Sequence, residues 1–156
     1  MKSPETKVKT AEKAESVALR QIVTFKVGEE VFGLEIGEVR EVIEYREVTP
    51  VPRAPSFVAG IISLRGVILP VVDLRRRFGL EAAEPRPETV VLVLEVEGRH
   101  VGFIADKILD IFKVGREKTV KTKDRKSPVA EEYVREVLKV EDQAVILLRV
   151  EKLIAA

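Results

Sequence analysis

One pattern occurs twice in this chain, and it limits the fold more than any other feature. Phe25, Val27, Phe32, Gly33, Leu34, Ile36, Val39, Glu41 and Val42 return as Leu94, Val96, Val101, Gly102, Phe103, Ala105, Ile108, Asp110 and Ile111, at a constant offset of 69 residues. A looser match sets Val67-Ile68-Leu69 against Val145-Ile146-Leu147 at an offset of 78. The difference places a nine-residue insertion in the charged stretch between Lys113 and Lys126. Within the first copy Val23, Phe25 and Val27 alternate, Gly28-Glu29-Glu30 forms a turn, and Phe32, Leu34 and Ile36 alternate again. That is the period of strands joined as a hairpin. Two copies are too few for a solenoid, which needs at least about three. Many short strands separated by turn signals indicate an all-β chain of barrel or sandwich type, here two similar small β-barrels side by side.

The expected organisation follows from the breaks in this pattern. Residues 1–19 read as a flexible tail, with at most a marginal helix from Thr10 to Leu19. The first barrel is expected over 20–85 and the second over 86–156, divided at Pro85-Arg86-Pro87, with the first strand and the C-terminal segment open to sharing. Thr49-Pro50-Val51-Pro52-Arg53-Ala54-Pro55 reads as a stiff, extended connector, because prolines at this density exclude helix and central strand. Ala130, Tyr133, Val134, Val137 and Leu138 fall at helical spacing behind Ser127-Pro128, so that 128–138 taken alone reads as a helix.

Chemistry is sparse. The chain has no cysteine and a single histidine, His100, so a Cys–His pair or a multi-histidine metal site cannot be assembled. None of its serines lies in a Gly-x-Ser-x-Gly elbow, and no phosphate-binding glycine loop occurs. No catalytic residue, metal or cofactor is expected, and the chain does not read as an enzyme. Lys and Arg (27) nearly cancel Asp and Glu (26), which removes any global field for nucleic acid or an anionic membrane. Two basic clusters, Arg75-Arg76-Arg77 and Lys113 to Lys126, lack interleaved aromatics for base stacking and read as solvated loops or protein contacts. The first twenty residues carry no apolar secretory core, and Arg65, Pro70, Asp73 and Glu95 interrupt the apolar runs well short of a membrane span. The expectation is a cytoplasmic protein without membrane insertion.

One segment carries a functional signal. From Gly60 to Leu74 the chain is apolar except for Arg65, set immediately before Gly66. A buried, unpaired guanidinium is very costly, so Arg65 must reach solvent, pair with a carboxylate, or meet a partner. This points to a binding surface.

The block from Gly60 to Arg75, centred on Leu64-Arg65-Gly66, resembles the CheW family of bacterial chemotaxis coupling proteins. The similarity extends through Phe32-Gly33-Leu34-Glu35-Ile36, Thr49-Pro50-Val51-Pro52, Gly102-Phe103-Ile104-Ala105-Asp106 and Val145-Ile146-Leu147-Leu148, covering roughly residues 20–154. It implies two SH3-like five-stranded β-barrels around a shared apolar interface, with short helices in connections and at the C-terminus. It also implies a non-catalytic adaptor that bridges the regulatory domain of a CheA-type histidine kinase to the cytoplasmic hairpin tip of chemoreceptors. By resemblance, the receptor helix lies in a groove between the barrels, lined by Val39, Glu41, Gly60, Arg65 and Val90, with Glu41 as the internal partner of Arg65. The kinase docks through Ile43, Val48, Pro50, Pro52, Val67, Ile68 and Leu69. A scaffold for a related kinase pathway such as pilus motility is the alternative, and a nucleic-acid-binding small barrel a weaker one. The chain departs from the family at Ser63, where asparagine is usual, and at Glu136, where glycine is common. The first departure is expected to alter a local turn. Over 128–140 the resemblance replaces the helix with a short helix to about Tyr133 followed by a strand.

Overall fold

A computed structural model describes residues 19–115, 119–120 and 129–155. Its strands are β1 (Leu19–Val27), β2 (Glu30–Glu35), β3 (Val39–Glu44), β4 (Val58–Leu64), β5 (Val67–Asp73), β6 (Val90–Val96), β7 (Arg99–Ala105), β8 (Lys107–Gly115), β9 (Thr119–Val120), β10 (Val134–Val140) and β11 (Gln143–Leu148). Two one-turn helices, α1 (Leu74–Arg77) and α2 (Val150–Leu153), follow β5 and β11. Short 3-10 turns at Ile36–Glu38 and Glu131–Tyr133 lead into β3 and β10. The segment read alone as a helix over 128–138 is therefore a 3-10 turn and then a strand. The tail and the Ser127-Pro128 cap lie outside the described residues.

The strands form a six-stranded sheet, β8-β1-β2-β11-β10-β9, and a five-stranded sheet, β3-β6-β7-β5-β4. Each sheet draws strands from both copies of the repeat. β1 and β2 join β8, β10 and β11, whereas β6 and β7 join β3, β4 and β5. The break at 85–87 consequently separates the two sequence copies and not the two sheets. The exchange is sealed by two short parallel pairings, β11 on β2 (Leu147 opposite Gly33) and β5 on β7 (Val71 opposite Gly102).

Ladder registers also correct the looser offset. Val58 faces Val72 and Gly60 faces Val71 across one bulge, as Val134 faces Leu148 and Glu136 faces Leu147 across another. The equivalence of these hairpins is therefore 76 residues, not 78, and the insertion is seven residues.

Alternation along the strands builds three apolar clusters. Ile22, Val31, Leu138, Val145 and Leu147 fill the inside of the six-stranded sheet. Ile62, Leu69, Val71, Val91 and Val93 fill the inside of the five-stranded one. The opposite faces, including Phe25, Phe32, Leu92, Leu94, Phe103 and Ile146, meet in a larger cluster shared by both sheets. Strands such as β6 and β11 are thus buried on both faces, which is why they read as unbroken apolar runs. Gly33 and Gly102 sit where a Cβ would intrude on the two smaller interiors. At Gly33 it would lie 2.7 Å from Ile22, 2.8 Å from Val145 and 2.9 Å from Leu147; at Gly102, 2.8 Å from Val91.

The proline-rich connector is not uniformly extended. It turns at Val51–Ala54, with Arg53 at φ 66°, and Thr49 exchanges two backbone bonds of 2.9 Å with Ile61. The prolines exclude regular structure, but they start turns as readily as they extend the chain. That seam, with the Arg46 guanidinium donating to the Ser63 carbonyl at 2.8 Å, curls the five-stranded sheet by drawing the chain beyond β3 onto β4.

Candidate functional site

Arg65 and Gly66 are the two central residues of the β4–β5 hairpin, at φ 52° and 83°. Leu64 pairs with Val67 around them, so this is the tight turn with both central residues in the left-handed region, whose twist matches that of the strands. Glu97-Gly98 and Glu141-Asp142 form the same turn in the β6–β7 and β10–β11 hairpins. The backbone of Arg65 is therefore set by turn chemistry, and its side chain is what distinguishes it. Ser63 lies in β4, outside the turn, so its replacement of asparagine does not act there.

The Arg65 side chain is 72% exposed. Its Nη1 donates to both oxygens of Glu41, at 2.7 and 3.0 Å, and the carboxylate holds the guanidinium pKa further above its ordinary value. Among the described residues, Nε and Nη2 have no partner. β3 and β4 are the two edges of the five-stranded sheet, so this pair bridges the open end of that sheet. Beside it Arg40 donates to Glu95, whose carboxyl is held below its usual range by that bond. Between the two pairs lies a depression of about 430 Å³, floored by Leu69 and Val93 with His100 on its rim. His100 is exposed and faces Glu95 across the strands.

The internal repeat supplies a control for what the fold requires here. The equivalent end of the six-stranded sheet has a depression of about 360 Å³ lined by Leu109, Asp110, Val140, Glu141 and Val145. Glu41 corresponds to Asp110 and Arg65 to Glu141, two acids in place of the acid–base pair, with Lys107 also lining the depression. Thr24 bonds the Asp110 backbone there instead, donating to its carbonyl at 2.8 Å and accepting from its N–H at 3.0 Å. One sheet closes without an arginine–glutamate pair, so such folding does not demand the pair in the other.

The remaining residues assigned by resemblance are distributed unevenly. Gly60 is buried in β4, where a Cβ would lie 2.7 Å from the Thr49 carbonyl carbon and 3.1 Å from the Pro50 nitrogen. Its role visible here is to admit the connector. Val90 is buried in the cluster between the sheets, and Val39 packs at its margin. The two are not brought together: Val39 and Val90 stand at opposite ends of the β3–β6 ladder, Val39 at the end that carries Glu41. Of the second group, Ile68 (67%), Val67 (44%), Pro50 and Pro52 are exposed, and Ile43 and Val48 are half-buried beside the five-stranded interior. Leu69 is 1% exposed, because the alternation along β5 turns it inward. Arg40, Arg46 and Glu95 were not legible as parts of this surface, since nothing local in the sequence reveals which strands are neighbours.

A family model described as the CheW-like domain matches residues 21–156. The chain belongs to the CheW-like family. It is 36% identical over 132 residues to the chemotaxis protein CheW of Rhizobium meliloti (strain 1021), covering 85% of each chain. It is 33% identical over 140 residues to the chemotaxis protein CheW of Treponema pallidum (strain Nichols), covering 87% of this chain and 82% of that one. Among solved structures it is similar to the scaffolding protein TtCheW from Thermoanaerobacter tengcongensis, with a TM-score of 0.82 and 28% identity, covering 88% and 93% of the two chains. The family match takes in nearly all described residues. Among these, no helix is long and apolar enough to cross a membrane.

Proposed function

We propose that this chain is a non-catalytic cytoplasmic adaptor that couples chemoreceptors to a CheA-type histidine kinase in chemotaxis signalling. The observation that carries the reading is the exposed Arg65–Glu41 pair, present at the end of one sheet and replaced by two acids at the equivalent place in the other. An amphipathic helix such as a receptor hairpin tip needs apolar anchoring and a few polar groups that fix its register. Arg65 offers a free guanidinium edge to a carboxylate or carbonyl on that helix, presented on a rigid turn. Val39 and Val90 belong to the wall between the sheets, and Gly60 holds the seam behind it. Val67 and Ile68, with exposed Pro50 and Pro52 of the connector, offer the apolar surface for the kinase regulatory domain, and Ile43, Val48 and Leu69 pack in the interior behind it.

Arg65→Glu tests this reading by titration with a receptor hairpin-tip fragment. The dissociation constant should rise about tenfold or more, because the new charge repels both Glu41 and a carboxylate on the partner. The far-UV circular dichroism should not change. Unchanged affinity in a folded variant refutes the assignment.

A further inference from the structure

Two helices and two rings meet where the copies of the repeat face each other. α1 and α2 are equivalent at the 76-residue offset, so Arg77 corresponds to Leu153 and Phe78 to Ile154. Phe57, before β4, corresponds at the same offset to Tyr133, before β10. Leu153 behaves as the fold would have it and is fully buried in the cluster shared by the sheets. Arg77 breaks the symmetry. Its guanidinium carbon lies 3.8 Å above the centre of the Phe57 ring and 5.1 Å from that of Tyr133. Its Nη2 donates to the carbonyl of Lys152 at 2.9 Å and to that of Ala155. Its Nε is buried without a hydrogen-bond partner among the described residues. One cation therefore touches a ring from each copy and holds the end of α2 from α1.

We infer that Arg77 is a latch that fixes the six-stranded sheet against the five-stranded one, and through that orientation positions the surfaces on which partners dock. Phe57 precedes β4 of the five-stranded sheet, and Tyr133 leads into β10 of the six-stranded sheet. The shared apolar cluster between them is non-directional and tolerates small rotations, whereas stacking on two rings and bonding to helix-end carbonyls are directional. Only a planar guanidinium can present faces to rings and an edge to carbonyls together. Arg77 is outside every residue group assigned to receptor or kinase, so it is a positioning residue and not a contact. Its consequence for coupling rests on the reading above; the latch itself does not.

The test separates orientation from stability. Spin labels at Arg99→Cys, in β7, and Lys139→Cys, in β10, report the distance between the sheets, and the chain has no native cysteine to interfere. Arg77→Met keeps the aliphatic stem and removes the stacking and the bonds. Arg77→Lys keeps the charge and serves as the milder variant should the first not fold. The expected result is a broadened or shifted distance distribution in the folded variant. With it, hydrogen exchange at Leu153 and Ala155 should accelerate by at least about tenfold, since two charge-assisted bonds and two ring contacts are removed together. Affinity for the receptor fragment should fall in parallel. A distance distribution identical to that of the parent overturns the latch, whatever happens to α2. An altered distribution with unaltered receptor affinity keeps the latch and overturns its effect on coupling.

Discussion

Gly60→Ala separates a residue that builds the site from one that touches a partner. The added Cβ would meet backbone, at 2.7 Å from the Thr49 carbonyl carbon and 3.1 Å from the Pro50 nitrogen, and backbone cannot rotate out of the way. Relief requires moving the connector, which strains or breaks the two 2.9 Å bonds between Thr49 and Ile61. Two neutral bonds are worth about 1 kcal/mol each, and overfilling a tight site costs about 1–3 kcal/mol. Because some of the clash is relieved by breaking those same bonds, the sum is about 2–4 kcal/mol. For a domain of this size that lowers the melting temperature by roughly 5–15 °C. Thermal unfolding followed by circular dichroism reads the loss, and Gly37→Ala is the control, since nothing lies within 4 Å of its added Cβ. Any weakening of receptor binding by Gly60→Ala should shrink at temperatures where the variant is fully folded. A variant with the parent's melting temperature that still loses receptor binding would show that Gly60 is a contact, and the seam argument would fail.

Two further predictions concern the barrel interiors and acid stability. Gly33→Ala should cost about 2 kcal/mol and Gly102→Ala about 1 kcal/mol, since the first Cβ meets three side chains closer than 3 Å and the second only one; equal urea midpoints would contradict that ranking. Asp106 accepts from the Gly28 N–H at 2.8 Å and from Arg75 at 2.7 and 3.0 Å. Burial raises its pKa, but Arg75 and the Gly28 amide outweigh burial and hold it below the usual value. A folded pKa below the unfolded one gives stability that is present above the unfolded pKa, about 3.9, and is lost as pH falls through the folded value. Asp106→Asn should therefore cost about 1–2 kcal/mol near neutrality, after allowance for partial exposure, and nothing at the acid end of the titration. Melting curves of parent and variant that stay parallel from pH 7 to about pH 2 would exclude this linkage.

What could be read from the chain depended on whether the signal was local. Alternation at Phe25, Val27, Phe32 and Leu34 gave strands because each residue reports its own face. The repeat gave two similar units because Gly33 and Gly102 are both needed where a Cβ has no room. Neither signal carries pairing information, so beyond the sharing left open for the first strand and the C-terminal segment, which strands the copies exchange was not readable from the chain. The Arg65–Glu41 pair came from the family likeness, not from spacing, and its exposure followed from the turn that Arg65-Gly66 specifies. The helical spacing at Tyr133, Val134, Val137 and Leu138 misled because the bulge between Val134 and Glu136 brings Val134 and Val137 into the same cluster, three residues apart, and breaks the period of two. The family likeness grouped Leu69 with Ile68, yet adjacent strand residues point opposite ways, so Ile68 is exposed and Leu69 is buried.

The parallel seam between β2 and β11 bears on how the chain is made. The β1–β2 hairpin gains β8 beside β1 first, and its β2 edge acquires β11 only after more than a hundred further residues have been synthesised. Until then the β2 edge has no strand beside it, and contacts this distant in sequence form slowly. A nascent chain arrested before β10 and β11 is thus the form most exposed to aggregation and to chaperones, and severing the gene between the two copies would yield two fragments that each lack strands of both sheets.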